Sequence, residues 1–374
     1  MEFVLEEIGK SLAHEVHLYP LTLKLGSGLH VLLGPTLAGK TSLMRIMAGL
    51  DKPSSGRITL DAKDLSKVRV QDRKVAFVYQ QFINYPSLNV FENIASPLRV
   101  EGRLKARELR EKVEAAAEMM QIQHLLKRMP AELSGGQQQR TAIARALVKD
   151  ADLLLLDEPL VNLDYKLREE LRSDMRDIFS HREAIVVYAT TEPQEALMLG
   201  GTTTILDKGR LLQHGPTLEV YHQPSYQRVG EVFSDPPMNM LAAELKGGRF
   251  HLASGHDFMP SRTMTQLAEG DYTLGLRAHH VSLKPITGGV KLRARLELAE
   301  ISGSQTFLHL HLDPNISLVA QLDGVHSYDF GQDLDIYLNP DKLFAFDQTS
   351  DQTSDQNSKL VASPAYRTHG LKEA

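Results

Sequence analysis

The segment Gly34–Thr41 constrains the fold of this chain more than any other part of the sequence. It matches the pattern G-x-x-x-x-G-K-[ST], a glycine-rich loop that wraps phosphate groups with its backbone N–H groups. An apolar run of strand character, 29–33, precedes the loop, and a helical pattern, 42–49, follows it. Because the positive end of a helix also attracts anions, this order predicts a di- or triphosphate site. A glycine-rich turn without a ligand is the alternative.

Each residue of the loop has a predicted place at the phosphates. Glycine lets the backbone approach them, Lys40 neutralises the outer phosphates, and the Thr41 hydroxyl can bind Mg²⁺. The predicted nucleotide-binding residues of this region are Gly34, Pro35, Thr36, Leu37, Ala38, Gly39, Lys40, Thr41 and Ser42.

Composition limits the classes of protein to consider. With 374 residues, 42% hydrophobic and 24% charged, the chain is predicted to be a globular protein of about two or three domains. A net charge of −5 gives no general attraction for nucleic acid, which is not a predicted partner. The absence of cysteine excludes disulfides, thiol catalysis and cysteine metal sites. The acidic N-terminus and the lack of a long apolar run predict a cytosolic protein that meets the membrane only through partners.

Three parts of the chain differ in pattern. Residues 1–235 alternate apolar strand-like runs with helical patterns, which is typical of an α/β domain with a largely parallel sheet, and a helical subdomain at about 86–150 is predicted to interrupt it. Residues 236–346 carry short alternating strands with glycine turns, as in a small β-barrel. Residues 347–374 begin with a degenerate four-residue repeat and are predicted to be a disordered polar tail. The clearest strand candidates are 75–79, 153–156, 184–188, 272–276 and 307–312.

Two carboxylates stand at the end of the strand candidate 153–156. Ligands of open α/β folds bind at the carboxyl ends of the strands, so Asp157 and Glu158 are predicted to lie beside the phosphates. Asp157 is predicted to bind Mg²⁺, often through water, and Glu158 to be the general base that polarises the attacking water. A solvated strand end, where acidic residues are common, is the alternative.

A further motif is Leu-Ser-Gly-Gly-Gln at 133–137. Ser134 is a good N-cap and Gln137 stands three residues later, so they predict a capping box that opens a helix at 138–147. The glycines leave the N-terminal amides exposed, which makes a second anion site. An ordinary capped helix is the alternative. The predicted nucleotide contacts of this motif are Ser134, Gly135, Gly136 and Gln137.

With this pentapeptide the chain resembles the ATP-binding-cassette (ABC) ATPases, whose signature it is. The resemblance implies ATP as the nucleotide, and an α/β fold with a P-loop ABC-type nucleotide-binding domain. It implies that the signature of one subunit closes over the ATP held by the loop of another. It places Gln80, after the strand at 75–79, as a catalytic residue and Mg²⁺ ligand, and Asp164 as a contact across the dimer. Residues 82–86 lie where the cassette docks a cytosolic helix of its transmembrane partner.

The later part of the chain resembles one branch of this family, the maltose-type importer ATPases. Segments 209–215 and 236–241 resemble their post-cassette part, and 272–283 and 294–312 resemble their OB-like β-barrel regulatory domain. The resemblance covers about residues 1–346. It implies a dimer of cassettes beneath two transmembrane permease subunits at the cytoplasmic face of the cell membrane. A periplasmic or lipoprotein solute-binding protein would deliver a sugar, polyol or related solute.

Two positions depart from the family pattern. The family has a histidine that contacts the γ-phosphate, and Thr191 stands in its place, although threonine is shorter and has no imidazole. The position of the adenine-stacking aromatic residue falls on Leu12, which offers no π-face and loses about 1 kcal/mol of stacking. His14, His17 or Tyr19 could take over that contact.

These departures lead to the hypothesis of an asymmetric pair. The chain would pair with a related second ATPase and complete that partner's site with its own signature, while its own site hydrolyses ATP slowly or not at all. Polyol importers with two ATPase genes, notably those of the glycerol type, are similar to this hypothetical pair, so glycerol or a related solute is expected. A homodimer that tolerates Thr191, and a soluble regulatory ATPase without a permease, are the alternatives.

Overall fold

The computed structural model of the chain describes residues 1–13, 15–161, 168–169, 171, 175, 178–179, 183–313, 316–348 and 358–366. Two compact units follow one another, Met1–Thr217 and Leu218–Ala374. This division falls before the boundary predicted at 235/236. The intervening segment belongs to the second unit because Arg277 donates hydrogen bonds to the carbonyl oxygen of Tyr221, at 2.6 Å, and to Ser234 Oγ, at 3.2 Å.

Strands and helices alternate in the first unit. Its strands are β1 (Glu2–Leu12), β2 (Glu15–Gly26), β3 (Gly28–Leu33), β4 (Ser55–Leu60), β5 (Lys63–Asp64), β6 (Val75–Val78), β7 (Leu153–Asp157), β8 (Ile185–Thr190), β9 (Thr202–Asp207) and β10 (Arg210–Pro216). Its helices within the described ranges are α1 (Lys40–Ala48), α2 (Val90–Glu101), α3 (Ala106–Met119), α4 (Gly135–Leu147) and α5 (Pro193–Leu199).

The central sheet of this unit has the strand order β10-β9-β3-β8-β7-β6. All neighbours in it are parallel except β10 and β9. Strands β7 and β8 are buried along their whole length, which explains their continuous apolar sequence. The strands predicted at 29–33, 75–79, 153–156 and 184–188 all lie in this sheet, so the predicted α/β fold is confirmed.

A second, antiparallel sheet has the strand order β2-β1-β4-β5, and it is not predicted from the sequence. Its buried side chains share one hydrophobic core with those of the central sheet. Helix α1 shares this core. Fully buried members of the core include Phe3, Leu5, Leu25, Met44, Leu155 and Val187. Glycine stands at both ends of α1, with φ 102° at Gly39 and 79° at Gly49. Because glycine adopts such left-handed geometry without strain, α1 ends at Gly49.

Along the chain, helices α2, α3 and α4 follow β6 and precede β7, although these two strands are neighbours in the sheet. The three helices fall in the range predicted for a helical subdomain. The Asn89 side chain caps the N-terminus of α2, and Gly102 ends this helix with φ 66°. The fully buried Asn93 donates a hydrogen bond to the carbonyl oxygen of Tyr85 at 3.0 Å and accepts one from its N–H at 2.8 Å. These bonds fix the segment that leads from β6 into α2.

The second unit is rich in strands, and the short helices α6 (Thr217–His222) and α7 (Gln227–Val232) precede them. Its strands are β11 (Asn239–Lys246), β12 (Arg249–Leu252), β13 (Asp257–Phe258), β14 (Gly270–Leu276), β15 (Val281–Ser282), β16 (Val290–Ser302), β17 (Gln305–Asp313), β18 (Ile316–Asp323), β19 (Asp333–Leu338), β20 (Phe344–Asp347) and β21 (Lys359–Ala362). They form two antiparallel sheets, of order β13-β12-β11-β14-β20-β21 and β15-β19-β16-β17-β18, around a common core. The five-stranded sheet is barrel-like, as the sequence predicts.

Part of the chain's tail is a strand. Residues Lys359–Ala362 form β21, which pairs antiparallel with β20. The prediction of a disordered tail over 347–374 is therefore wrong for this segment. The backbone of β21 satisfies the open edge of β20, and Leu360 packs against the apolar cluster that contains Phe344. Residues 349–357, which hold most of the repeats, and residues 367–374 lie outside the described ranges.

The helices of the described ranges are short. The longest of them, α3, has 14 residues. None is both long and apolar enough to cross a bilayer.

Candidate functional site

The carboxyl ends of the parallel strands bring several predicted motifs to one edge of the central sheet. Strand β3 leads into the loop 34–39, β7 ends at Asp157, and Gln80 follows shortly after β6. Ligands of open α/β sheets bind at this edge, so the topology places the candidate site here.

Two glycines of the loop stand where a side chain would not fit. A Cβ atom on Gly34 would lie 2.2 Å from the carbonyl oxygen of Leu206 in β9. A Cβ atom on Gly39 would lie 2.7 Å from Leu18 Cδ2 in β2, and Gly39 also has a left-handed φ of 102°. The backbone of the loop therefore rests directly on β9 and β2, and residues 36–42 border a cavity.

The ammonium group of Lys40 lies inside the loop. The side chain is 5% exposed, and Nζ donates hydrogen bonds to the carbonyl oxygens of Gly34, at 2.8 Å, and Pro35, at 3.2 Å. Nζ also lies 3.3 Å from Glu158 Oε1. Burial lowers the pKa of Lys40, and the carboxylate of Glu158 opposes this shift. A buried cation in a glycine-rich loop at a helix N-terminus fits a phosphate group.

Thr41 and Asp157 form a candidate metal site. Thr41 Oγ1 donates a hydrogen bond to Asp157 Oδ2 at 2.8 Å, and Asp157 is only 2% exposed. The second carboxylate oxygen, Oδ1, is buried and has no hydrogen-bond partner among the described residues. Burial raises the pKa of Asp157, and the Thr41 hydrogen bond opposes this shift. An unpartnered carboxylate oxygen beside a hydroxyl oxygen fits Mg²⁺, a hard cation that takes oxygen ligands.

Glu158 stands between two polar side chains and has an unusual backbone. Gln80 Nε2 donates to Glu158 Oε2 at 2.9 Å, whereas Lys40 contacts Oε1. The N–H of Glu158 donates to the carbonyl oxygen of Ala189 in β8 at 3.0 Å. Its φ is 46°, in the left-handed region. This geometry costs a non-glycine residue about 1–3 kcal/mol and clusters at functional sites, where the surrounding structure holds it.

A cavity of about 500 Å³ borders the loop and is large enough for a nucleotide. The residues that line it are Glu15, Val16, His17, Thr36, Leu37, Ala38, Gly39, Lys40, Thr41, Ser42, Gln80, Glu158, Lys208 and Gly209. Most of the predicted loop residues thus share one cavity with Gln80 and Glu158. In chemical terms, such a site can bind phosphates, bind Mg²⁺ and offer a carboxylate to water.

The residue predicted to stack on the base lies outside this cavity. Leu12 is the last residue of β1 and is 53% exposed. Of the other candidates, His17 lines the cavity. The ring of Tyr19 is covered by the guanidinium of Arg210, 3.4 Å from the ring centroid. His14 is not among the described residues.

Thr191 is exposed and is not among the residues that line the cavity. Its neighbour Thr190 is 2% exposed, donates to Glu195 Oε2 at 2.5 Å and accepts from the N–H of Glu192 at 3.0 Å. These hydrogen bonds of Thr190 fix the start of α5, and the Thr191 side chain takes no part in them. Asp164, the predicted contact across a dimer, lies outside the described residues.

Ser134 and Gln137 form the predicted capping box. Ser134 Oγ accepts from the N–H of Gln137 at 3.3 Å, and Gln137 Oε1 accepts from the N–H of Ser134 at 3.0 Å. Helix α4 begins at Gly135, earlier than the predicted start at 138, because Gly135 and Gly136 already belong to its first turn. Residues 134–137 are exposed or half-buried, so this helix N-terminus is open to a ligand from outside.

The segment 82–86, where a partner helix is predicted to dock, exposes apolar side chains. Ile83 is 60% and Tyr85 50% exposed. Tyr85 also lines a groove of about 400 Å³ together with residues of β6, α2 and α4. An exposed apolar groove of this kind fits a protein interface.

The turn between β9 and β10 also lines the cavity, and it was not predicted. The N–H of Gly209 donates to the carbonyl oxygen of Ala38 at 3.0 Å, and a Cβ atom on Gly209 would lie 2.5 Å from the carbonyl oxygen of His17. Lys208 precedes it in the turn. The sequence Asp-Lys-Gly signals a tight turn. Its contact with the loop joins distant parts of the sequence, so no local signal reveals it.

Comparisons with known proteins agree with this arrangement. The ABC transporter family model matches residues 18–161, and the TOBE domain model matches residues 274–346. The sn-glycerol-3-phosphate import ATP-binding protein UgpC of Vibrio cholerae is 33% identical over 341 residues, which is 89% of this chain and 91% of that protein. The xylose/arabinose import ATP-binding protein XacK of Haloferax volcanii is 34% identical over 323 residues, 85% of this chain and 84% of that protein.

Among solved structures, the chain is similar to the dimeric post-hydrolysis state of the ATP-binding cassette MJ0796 bound to ADP and Pi. The TM-score is 0.53 at 27% identity, over 57% of this chain and 98% of that chain. The match to the ABC transporter model contains the phosphate loop, the signature, Asp157 and Glu158. The importer proteins match nearly the whole chain, including the second unit. The chain therefore belongs to the ABC transporter family, as an ATP-binding ATPase subunit of the maltose- and sugar-type importers.

Proposed function

We propose that this chain powers the import of a sugar, a polyol or a polyol phosphate by hydrolysing ATP beneath two permease subunits. The observation that carries the proposal is the single cavity in which Lys40, Gln80 and Glu158 surround the place of the phosphates. The solute class rests on the names of the similar proteins, one for sn-glycerol-3-phosphate and one for xylose and arabinose. Attachment to the cytoplasmic face of the membrane would go through the permeases, and a solute-binding protein would act outside.

Each side chain has a separate part in the proposed reaction. The loop amides and Lys40 bind the β- and γ-phosphates, and Thr41, Asp157 and Gln80 hold Mg²⁺. When bound, Mg²⁺ supplies positive charge that stabilises the charge developing on the phosphates. Glu158 accepts a hydrogen bond from the attacking water and polarises it. The contacts of Glu158 with Lys40 and Gln80 must loosen for this, since phosphate and water take their places.

The signature acts on another protomer's nucleotide in this proposal. Ser134–Gln137 presents a capped helix N-terminus that faces away from the chain's own core, and one nucleotide does not need two such sites in one chain. Binding of ATP would draw two cassettes together and hydrolysis would release them. This cycle would move the permeases through the segment 82–86.

The two sites of the dimer are proposed to be unequal. Thr191 has no imidazole, is exposed and lies outside the residues that line the cavity, which supports a weak contact with the γ-phosphate. A related second ATPase with the histidine would then provide the faster site. A homodimer that tolerates Thr191 is the competing proposal.

Mg-dependent ATPase activity of the purified chain tests these proposals, alone and after mixing with a candidate partner ATPase of the same family. We expect slow turnover alone and faster turnover in the mixture, and Glu158→Gln in this chain should remove only the slow component. Thr191→His should raise the activity of the chain alone. Full turnover by the wild-type chain alone would refute the asymmetric pair, and no ATP hydrolysis in either assembly would refute the ATPase proposal.

A further inference from the structure

Helix α4 carries a buried polar side chain directly after the signature. Gln139 is 1% exposed, and its Nε2 donates a hydrogen bond to the carbonyl oxygen of Pro159, the residue that follows Glu158. The other amide atom, Oε1, is buried without a hydrogen-bond partner among the described residues. A core position with an unsatisfied amide oxygen is unfavourable by itself, so packing alone does not explain a glutamine here.

The bond from Gln139 reaches the turn that carries Glu158. This turn begins with the left-handed φ of 46° at Glu158 and continues through Pro159 to Val161. On its N-terminal side, the N–H of Glu158 is held by the carbonyl oxygen of Ala189 at 3.0 Å. On its C-terminal side, the Gln139 amide donates to the carbonyl oxygen of Pro159, next to Glu158, and Arg168 Nη2 donates to the carbonyl oxygen of Val161 at 3.4 Å. The direction of the Glu158 carboxylate therefore depends on the position of α4.

Helix α4 is also the element whose N-terminus is the signature. Ser134 and Gln137 close its capping box, and Gln139 lies about half a helical turn further on. A displacement of the signature must carry Gln139 with it, because the helix between them is continuous. The carbonyl oxygen of Gln138 accepts a hydrogen bond from Asn84 Nδ2 at 2.8 Å, so the segment 82–86 follows the same helix.

We propose that Gln139 is a positioning residue that couples the signature to Glu158. The inference rests on the proposed function, in which the signature of this chain engages the nucleotide of its partner. Engagement there moves the start of α4, and the Gln139 amide passes this displacement to the turn that holds Glu158 at the chain's own nucleotide. Occupation of one site thus sets the geometry of hydrolysis at the other, and the two sites hydrolyse cooperatively.

Replacement by methionine separates this role from packing. Gln139→Met keeps a side chain of similar length and volume, and removes both the bond to Pro159 and the unpartnered Oε1. A lost hydrogen bond and a removed buried polar atom offset each other, so the melting temperature should stay the same or rise. Gln321→Met is the matched control, since Gln321 Nε2 donates to Gln305 Oε1, at 2.9 Å, between two strands of the second unit and not in α4.

The experiment measures kcat, KM for MgATP, the Hill coefficient, binding of a non-hydrolysable ATP analogue and Tm. It uses the chain without a second ATPase, as wild type or as Thr191→His, whichever hydrolyses ATP alone, because the turnover of a faster partner would hide a change at this chain's own Glu158. For Gln139→Met we expect kcat to fall about tenfold or more, because misplacing a catalytic group costs up to about hundredfold. KM and analogue binding should stay within about twofold of wild type, and the Hill coefficient should fall toward one. Gln321→Met should keep kcat within about twofold.

A kcat and Hill coefficient of Gln139→Met equal to wild type would overturn the proposal. If Gln139→Met melts at a much lower temperature than wild type, a loss of activity could come from instability alone. The variant Gln139→Glu then tests the role of the hydrogen bond. A protonated glutamate can donate to the carbonyl oxygen of Pro159 and an ionised one cannot, so its activity relative to wild type should rise as the pH falls. A ratio of Gln139→Glu activity to wild-type activity that does not change with pH would overturn the proposed coupling. Failure of the proposed function itself is distinct, since the wild type would then hydrolyse no ATP.

Discussion

Replacing Asp157 by asparagine should stabilise the metal-free chain while it abolishes Mg-dependent hydrolysis. The Asp157 carboxylate is 2% exposed, accepts one hydrogen bond from Thr41, and leaves Oδ1 without a partner among the described residues. Without a metal ion this charge is a cost to the folded state. Asparagine keeps the shape and the acceptor for Thr41 and removes the charge.

The expected gain in the free energy of unfolding follows from the cost of the buried Oδ1 of Asp157. A buried polar group without a partner costs about 1–3 kcal/mol, and more when charged. Asparagine still places an unpartnered N–H group there, so we expect a net gain of about 1–2 kcal/mol in the free energy of unfolding. For a unit the size of Met1–Thr217, 1 kcal/mol moves Tm by about 2–4 °C, so Tm should rise by about 2–8 °C.

The sign of the pH dependence is fixed by the pKa of Asp157. Burial raises this pKa in the folded state above its value in the unfolded chain, about 3.9. Between the two values the folded state binds the extra proton, so the stability of wild type falls as the pH rises through them. The variant lacks this titration. Its advantage in Tm should therefore be greatest above the folded pKa and should shrink as the pH falls toward the unfolded value.

Differential scanning calorimetry in EDTA, without nucleotide, across acidic to mildly alkaline pH, provides the assay. Asp152→Asn is the control, because Asp152 is 30% exposed and its ion pair with Lys74, at 3.9 Å, is worth only about 0–1 kcal/mol. A variant Asp157→Asn that melts at or below wild type in mildly alkaline buffer would refute the reasoning. The buried charge of Asp157 would then not be a cost to the folded state without a metal ion.

Three further substitutions test separate parts of the structure. Gly34→Ala places a Cβ atom 2.2 Å from the carbonyl oxygen of Leu206 and should abolish binding of a fluorescent ATP analogue, whereas Gly26→Ala, with nothing within 4 Å, should bind it normally. Ser134→Ala removes the N-cap of α4 and should cost about 1 kcal/mol in urea unfolding, and an unchanged midpoint would contradict the capping box. Arg277→Ala should destabilise the second unit by about 2–4 kcal/mol, seen as a separate shift in calorimetry, because it removes two hydrogen bonds and the guanidinium packed 3.4 Å from the Tyr221 ring centroid.

Those parts of the site that are contiguous in sequence could be predicted from it. The loop 34–41 follows its strand directly, and the capping box needs only Ser134 and Gln137, so spacing alone is informative. The buried strand before Asp157 places that carboxylate at the sheet edge by topology. These features depend on local backbone geometry and on the parallel order of strands.

Contacts between distant parts of the chain could not be predicted. Gly209 meets Ala38, and Gln139 meets the turn after Glu158, through packing that leaves no local pattern. An ungapped register from the loop predicts the base-stacking position at Leu12, but the pairing of β1 with β2 shifts register three times before Leu12. Such bulges redirect side chains without a clear sequence signal. Strand β21 follows the polar repeats and forms because it pairs with β20. That partner is not visible in the local sequence.

The central claim is that each nucleotide pocket is shared between two protomers. Mixing two inactive variants tests it most directly: Lys40→Ala, which lacks the loop cation but keeps the signature, and Ser134→Arg, which blocks the signature but keeps the loop. The ATPase activity of the mixture is compared with that of the parent chain, wild type or Thr191→His, that hydrolyses ATP alone.

In a mixed dimer, the intact loop of one variant meets the intact signature of the other, so one of the two pockets is complete. About half of the dimers in an equal mixture are mixed, so activity should return to as much as about one quarter of the parent chain. A mixture as inactive as either variant alone, although the two chains are shown to associate, would contradict the shared pocket.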